Sequence, residues 1–156
     1  MTRAVEVVIV AYRAADELDR CLSTLGTRFA TTVVDNSNSP AVKTVAVRRS
    51  AAYMDASRNM GFGAGANLAL RPLLQGQPRD VLLLNPDTSL APSEVDKLAK
   101  HLHRTGNERL AAVSPRLVDR NGVGQQVGKG RLRSLDLRRQ QRLLAHIHKE
   151  KERWRR

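Results

Sequence analysis

Short runs of Val, Leu and Ile alternate along this chain with segments of helical periodicity, and this alternation limits the possible folds more than any other feature. A repeated strand and helix order predicts an α/β domain, with a parallel sheet and helices on both of its faces. The predicted strands span residues 5–12, 31–34, 81–84 and 111–114, with a weaker strand at 43–47. The predicted helices span residues 16–25, the stretch from the glycines at 61–65 to Leu74, and a later stretch with Val95, Leu98, Ala99 and Leu102 on one face.

Two of these helices carry recognisable end signals. Gly26 is expected to end the first helix, and Ser93 with Asp96 resembles a capping pair at the start of the last one. The strand at 81–84 is apolar at every position, which is typical of a strand that is buried on both faces.

Length and composition indicate a single globular domain. A chain of 156 residues with 41% hydrophobic content can bury a core of ordinary size. Its longest apolar run is far below the roughly 18 residues of a membrane span, and Glu6 interrupts the only stretch that resembles a signal-peptide core. The single cysteine, Cys21, lies on the apolar stripe of the first predicted helix, where a buried inert thiol is favoured over a nucleophile. The expected compartment is the reducing cytoplasm.

The positive charge is concentrated towards the C-terminal end. Residues 129–156 hold 11 Lys and Arg against three acidic residues, which is +8 of the total net charge of +12. Because apolar residues recur there at loosely helical spacing, we predict a basic helical tail at 131–156 after a domain at 1–130. The tail could contact the inner face of an anionic membrane or nucleic-acid phosphates, or could be a solvated helix packed on its own domain. Nucleic acid is disfavoured, since only 3% of the residues are aromatic and able to stack on bases.

Polar residues stand at the carboxyl ends of three predicted strands. Tyr12 ends the first strand, Asp35 follows the second, and Asp87 follows the 81–84 strand across Pro86, which cannot continue the ladder. In open parallel sheets ligands bind beyond these ends where the strand order reverses, so the three residues could face one crevice. Two carboxylates in one crevice suit a nucleotide and its metal ion. The alternative is that each Asp forms a turn by hydrogen-bonding its own backbone.

The glycine-rich stretch at 59–67 formally satisfies the dinucleotide-binding pattern through Gly61, Gly63 and Ala66. That pattern must follow the first strand directly, so that its turn brings backbone amides onto a pyrophosphate. The residues just before Gly61 are polar and are not predicted to form a strand, so a nicotinamide enzyme is disfavoured. The glycines fit a close approach of the backbone to a sugar diphosphate, with the Asn59 amide beside it, or tight packing of the following helix.

Four short segments occur in an order that is specific when they are taken together: Val7–Tyr12, Val33–Ser37, Asn59–Gly63 with Asn67, and Leu84–Thr88. With them the chain resembles family 2 glycosyltransferases of the GT-A fold, particularly the branch with rhamnosyl- and galactofuranosyltransferases. Residues 114–122 look like the next strand and hairpin of that family, so the resemblance covers roughly residues 5–135. The implied fold is a GT-A (nucleotide-diphospho-sugar transferase) sheet, Rossmann-like and incomplete.

The resemblance implies how a nucleotide-sugar donor would be held. The backbone around Ala11 and Tyr12 and the carboxylate of Asp35 would bind the nucleobase of a UDP- or dTDP-linked sugar. The amide of Asn59 and the following glycines, Gly61 and Gly63, would lie beside the nucleotide-sugar.

The resemblance also implies a metal ion and an acceptor. Asn85 and Asp87 occupy the first and last positions of the metal motif of the family, and Asp87 would hold Mn2+ or Mg2+ against the diphosphate. The implied acceptor is a glycan or a lipid-linked molecule in the synthesis of cell-envelope polysaccharide.

This chain departs from the family pattern in two places. Arg13 stands where the branch often has Asn. The acceptor-binding half of the family, with the acidic general base that an inverting sugar transfer needs, is not recognisable in this sequence. The sequence therefore predicts a hexosyltransferase-like domain shortened to its donor-binding half. The alternative is a non-catalytic remnant or binding module, with a tail that contacts membrane or nucleic acid.

Overall fold

The computed structural model describes residues 3–107, 109–119 and 121–124. The chain divides into two compact units, residues 1–114 and 115–156. The predicted boundary at 130 and the predicted helical tail at 131–156 lie outside the described residues. No helix within the described ranges has the length and apolar character needed to cross a bilayer.

The described part of the first unit alternates strands and helices from end to end. The elements are β1 Val5–Ala11, α1 Ala15–Leu25, β2 Ala30–Asp35, α2 Pro40–Arg48, β3 Ala52–Asp55, α3 Phe62–Leu73, β4 Asp80–Leu84 and α4 Pro92–Leu102. Gly26 ends α1 with a positive φ of 69°, as its position in the sequence predicts.

The four strands form one parallel sheet in the order β3-β2-β1-β4. On one side β1 pairs with β2, where Ala11 lies opposite Asp35, and on the other side it pairs with β4, where Ile9 lies opposite Leu84. Because parallel neighbours cannot be joined by a tight turn, each connection crosses a face of the sheet as a helix. The strand order reverses between β1 and β4, since β2 and β3 extend the sheet in the other direction.

Helices cover both faces of the sheet, and the predicted α/β fold is confirmed. The larger core joins α1, α2 and Val95 of α4 to one face, where Val7 and Ile9 of β1 are fully buried. On the opposite face α3 packs against Val8 and Val10. Burial on both faces explains why β1 is apolar at every position from Val7 to Ala11.

The predicted weak strand at 43–47 is wrong, because these residues belong to helix α2. Pro40 occupies the start of that helix, where its fixed φ and missing N–H are tolerated. The buried residues Val42, Val45 and Ala46 follow helical spacing and pack into the larger core. Their burial overrides the local preference of β-branched residues for strands.

Strand β3 was not predicted from the sequence. Ala52–Asp55 is only four residues long and pairs with β2, with Asp55 opposite Asp35. A short edge strand with a charged end carries little apolar signal. The glycine-rich stretch therefore follows a strand, but it is the third strand and not the first, so the dinucleotide pattern remains out of place.

Two predictions near the end of this unit are also wrong. Residues 111–114 form no strand and run as an irregular segment, which agrees with the weak strand preference of Ala111 and Ala112. Helix α4 begins with Pro92 after Ala91, so Ser93 does not cap it and forms no capping pair. Asp96 instead pairs with Arg28 at 2.8 Å.

The edge strand β4 is buried on one face only, in contrast to the prediction. Leu84 is buried in the larger core, whereas Val81 is 38% exposed and Leu83 is 46% exposed. These two exposed residues lie on the same face as Val8, which α3 covers over β1 and β2. Helix α3 does not extend over this face of β4.

In the second unit, the predicted hairpin turn at 119–122 is present. Val118 forms an antiparallel bridge with Gly124. The Asp119 carboxylate accepts hydrogen bonds from the backbone amides of Asn121 and Val123, each at 2.9 Å. Asp119 therefore organises the turn through its own backbone, in the usual manner of an Asx turn.

We expect stability to depend on the larger core and to be insensitive to the exposed face of β4. Leu18→Ala removes a fully buried side chain and should lower the free energy of unfolding by about 3 kcal/mol. Leu83→Ala is the matched control, because its side chain is half exposed, and should cost less than about 1 kcal/mol. Urea denaturation followed by circular dichroism measures both changes, and equal losses would contradict the core described here.

Candidate functional site

Three loops start at the carboxyl edge of the sheet, on either side of the point where the strand order reverses. β1, β2 and β4 are parallel and end at Ala11, Asp35 and Leu84, so their following loops share one edge. Because β1 lies between the other two strands, the loops after β2 and β4 are separated across the sheet by two strand spacings, about 10 Å. The structure thus brings Tyr12, Asp35 and Asp87 to a single edge of the sheet, and that they face one crevice stays a prediction.

The carboxylate of Asp35 organises this edge. Oδ1 accepts hydrogen bonds from the backbone amide of Ser37 at 2.8 Å and from its hydroxyl at 2.6 Å. Oδ2 accepts from the backbone amide of Ser39 at 2.7 Å and from the Tyr53 hydroxyl at 3.0 Å. Asp35 has no exposed surface. It therefore shapes the 35–39 loop and ties it to β3.

These contacts shift two pKa values in opposite directions. Burial by itself would raise the pKa of Asp35, but the hydrogen bonds from Ser37, Ser39 and Tyr53 outweigh it and lower the pKa below its usual value. Burial and the neighbouring Asp35 carboxylate raise the pKa of Tyr53 to about 12. At neutral pH Asp35 is thus an acceptor and Tyr53 remains a donor.

The loop after β1 is attached to the same cluster. The backbone amide of Arg13 donates to the Ser37 hydroxyl at 3.0 Å, and Arg13 has a positive φ of 55°. Its guanidinium lies 5.3 Å from the centre of the Tyr12 ring, which is 48% exposed. Ala11 has no exposed surface, and its carbonyl accepts from the backbone amide of Asn36 at 2.8 Å. Of Ala11 and Tyr12, only Tyr12 therefore offers an accessible side chain.

The glycine-rich turn opens helix α3 at this edge. Asn59 is exposed, and its side-chain oxygen accepts from the backbone amide of Gly61 at 3.0 Å. Gly61 has a φ of 78°, which permits the turn into the helix, and Gly63 is exposed in the first helical turn. No side chain caps the start of α3.

Four residues of this edge were not singled out from the sequence: Asn36, Ser37, Ser39 and Tyr53. Three of them follow Asp35 directly, and a run of Asp, Asn and Ser residues after a strand signals a turn with side-chain hydrogen bonds. Tyr53 could not be recognised, because it lies on the strand that was missed.

The loop after β4 presents Asn85 and Asp87, which are both exposed. The Asn85 carbonyl accepts from the backbone amide of Thr88 at 3.2 Å, which closes a turn around Pro86. The same carbonyl lies 3.8 Å from the Cys21 thiol of α1. Burial raises the pKa of Cys21 to about 11, and the negative charge of Asp87 contributes in the same direction.

The donor atoms of this loop fit a hard divalent cation. The Asp87 carboxylate makes no hydrogen bond or ion pair with any other described residue, so both oxygens can coordinate. Mg2+ commonly takes one or two carboxylates and completes its shell with phosphates and water. No group of three or more His, Cys, Asp or Glu residues that could hold a metal occurs within the described ranges. Among the described residues, this loop therefore offers one carboxylate and the neighbouring Asn85 as oxygen donors for such a cation.

A cavity of about 500 Å³ lies elsewhere in the first unit. It is lined by residues of β4 and α4 and by the irregular segment at 110–113, with Arg3 and Arg79 also contributing. Arg79 precedes β4, and His103 of the lining follows α4, so this cavity lies towards the amino edge of β4. It is not part of the site at the carboxyl edge.

Comparisons with known proteins agree with this architecture. Over 118 residues the chain is 28% identical to the low-salt glycan biosynthesis hexosyltransferase Agl10 of Haloferax volcanii. The match covers 75% of this chain and 38% of Agl10, so the chain spans well under half the length of this curated relative. No protein-family model matches the chain.

The fold is similar to that of a solved structure, residues 1–349 of TarS from S. aureus, with a TM-score of 0.50 and 19% sequence identity. This likeness covers 64% of our chain and 32% of the TarS chain. The α/β sheet is of the GT-A type. The predicted resemblance to glycosyltransferases is confirmed, since a hexosyltransferase is among the sequence relatives.

Replacement of Asp35 should destabilise the protein in a pH-dependent way. Asp35→Asn replaces one carboxylate oxygen by an NH2 group, which cannot accept, so either the Ser37 or the Ser39 amide loses its acceptor. The free energy of unfolding at pH 7 should fall by about 2–4 kcal/mol. Because the folded pKa of Asp35 is lowered, its contribution is complete above the unfolded value of about 3.9 and is lost as the pH falls through the folded value.

Urea titrations at pH 7 and at about pH 3 measure this difference. The difference in free energy of unfolding between the wild type and Asp35→Asn should be smaller at the lower pH. Asp16→Asn is the matched control, because Asp16 is exposed in the first turn of α1 and should lose only a few tenths of a kcal/mol. A gap that stays the same at both pH values would refute the role of the charged carboxylate.

Cys21 should be inert in the folded protein. Only the thiolate reacts, and a pKa of about 11 keeps it scarce at pH 8. Labelling with Ellman's reagent should be slower in the native protein than in the guanidinium-unfolded protein by a factor on the order of 100. Equal rates in the two states would show that the thiol is accessible and would contradict the burial of this helix face.

Proposed function

We propose that this domain binds a UDP- or dTDP-linked sugar together with Mn2+ or Mg2+, for transfer of the sugar to a glycan or lipid-linked acceptor. One observation carries the proposal: three loops from separate parts of the chain start at one edge, around the reversal of the strand order. In α/β sheets this is where nucleotide ligands bind. The similarity to a hexosyltransferase supports a sugar nucleotide over other nucleotides.

The nucleobase would lie against Tyr12 and the 35–39 loop. Tyr12 offers a half-exposed aromatic face, and a flat base can stack on such a face. Asp35 has both carboxylate oxygens engaged by the loop, so it would act on the base mainly through the shape and amides that it fixes. Ala11 would form the floor of this subsite through its backbone.

The diphosphate would lie between the loop after β4 and the start of α3. Free backbone amides at a helix start favour an anion, and Asn59, Gly61 and Gly63 shape that start. Asp87, with Asn85 beside it, would hold the metal ion. The metal would neutralise the diphosphate and stabilise the charge that develops on the departing nucleotide.

The proposal can be tested by calorimetric titration with UDP and with dTDP in the presence of Mn2+. We expect one of the two nucleotides to bind only with the metal, and Asp87→Ala to weaken binding by about tenfold or more, since the ion loses its carboxylate. Metal-dependent hydrolysis of the matching sugar nucleotide, abolished in Asp87→Ala, would support transfer chemistry.

Asp96→Ala is the matched control for this experiment. Asp96 is an exposed carboxylate of α4 that pairs with Arg28, just before the amino end of β2 and away from the carboxyl edge. Its loss should leave nucleotide binding unchanged. Failure of both UDP and dTDP to bind the wild-type chain would refute the proposed function.

A further inference from the structure

Asn36 occupies a special position directly after β2. It is only 3% exposed, and its backbone amide donates to the Ala11 carbonyl at 2.8 Å, which fixes it between the ends of β1 and β2. Its side-chain Nδ2 donates to the Gly61 carbonyl at 3.0 Å. One buried side chain therefore connects the sheet edge to the turn that opens α3.

The first turn of α3 lies directly on this side chain. A methyl group added at Gly65 would lie 3.1 Å from Nδ2 and 3.2 Å from Oδ1 of Asn36, and 3.0 Å from Val10. These distances are shorter than ordinary van der Waals contact, so a side chain at position 65 would fit only if Asn36 and Val10 moved by a few tenths of an ångström. Asn36 and Gly65 together set how closely the start of α3 approaches the sheet.

The hydrogen bonding of the buried Asn36 side chain is incomplete. Oδ1 is buried and has no hydrogen-bond partner among the residues that the structure describes, and an unsatisfied buried acceptor is unfavourable. An apolar side chain would avoid this cost, but it could not donate to the Gly61 carbonyl. The amide group is therefore better explained by the positioning of Gly61 than by the packing of the core.

The residues that follow Gly61 carry the amides that this contact would position. Gly65 donates to the Gly61 carbonyl at 3.0 Å as the first helical bond. The amides of Phe62, Gly63 and Ala64 precede that bond, and within the described ranges no side chain accepts a hydrogen bond from them. Their direction is fixed by where Gly61 is held.

We propose that Asn36 is a positioning residue for the phosphate groups of the nucleotide ligand. By holding Gly61 and the start of α3 against the sheet, it aims the amides of residues 62–64 at the site edge. This inference rests on the proposed function, because it assumes that a nucleoside diphosphate binds there. It predicts that Asn36 matters for the phosphates and hardly for the nucleoside.

An NMR titration of the ¹⁵N-labelled chain tests this inference. The probes are UDP with Mg2+ and uridine, or dTDP and thymidine if dTDP binds the wild type more tightly. In the wild type, the amide resonances of residues 62–64 should shift with the diphosphate and not with the nucleoside. In Asn36→Ala, affinity for the diphosphate should fall about tenfold, as expected when hydrogen bonds to a charged group are lost, and affinity for the nucleoside should stay within about twofold.

Gly65→Ala is a second variant with the same expected outcome, because its methyl group pushes α3 away from Asn36. Gly76→Ala is its matched control, since a methyl group there meets only the Leu73 carbonyl at an ordinary 3.8 Å. Thermal unfolding of each variant separates loss of folding from loss of positioning. A purely structural role would weaken both ligands equally.

The outcomes separate this inference from the function on which it rests. If the wild type binds neither diphosphate, the proposed function fails and the role of Asn36 fails with it. If the wild type binds and both variants bind the diphosphate equally well, only the role of Asn36 is overturned. Binding without any shift at residues 62–64 would overturn it as well.

Discussion

The hydrogen bonds to the Asp35 carboxylate are the interaction on which the rest of the site depends. A carboxylate without solvent exposure is unfavourable unless it is fully paired, and here two backbone amides and two hydroxyls pair it. Through Ser37 the cluster reaches the loop after β1, and through Tyr53 it reaches β3. A single charge therefore sets the relative positions of three strand ends.

The order of the strands determines what this arrangement can do. The loop after β1 lies between the 35–39 loop, which is hydrogen-bonded to Asp35, and the exposed Asn85–Asp87 loop, because β1 is flanked by β2 and β4. On one side of the edge the Asp35 carboxylate is buried and fully hydrogen-bonded. On the other side the Asp87 carboxylate is exposed and forms no hydrogen bond or ion pair with the residues that the structure describes. The Asp35 carboxylate is suited to fix the conformation of its loop, and the Asp87 carboxylate is suited to bind a cation.

Strong patterns in the sequence predicted much of the fold. The apolar run of β1 from Val7 to Ala11 and the glycine after α1 predicted the correct elements. Tyr12, Asp35 and Asp87 were correctly expected at one edge of the sheet. Strand β3 was not predicted, because four residues with a charged end carry too little hydrophobic pattern. Part of α2 was wrongly predicted as a strand, because Val residues favour strands locally and only tertiary packing places them in a helix. The partners of Asp35 and the role of Asn36 depend on contacts between distant residues, which no local pattern encodes. Whether the predicted site residues bind a nucleotide-sugar remains a prediction.

The half-exposed β4 has a consequence for how this domain behaves in solution. Val81 and Leu83 present an apolar strip on the last strand of the sheet, and no described residue pairs with the outer side of that strand. Unpaired backbone groups beside apolar side chains form a template onto which an additional strand can assemble. In the part of the chain that the structure describes, this border of the sheet therefore combines unpaired backbone groups with apolar side chains, which is the combination that favours strand addition.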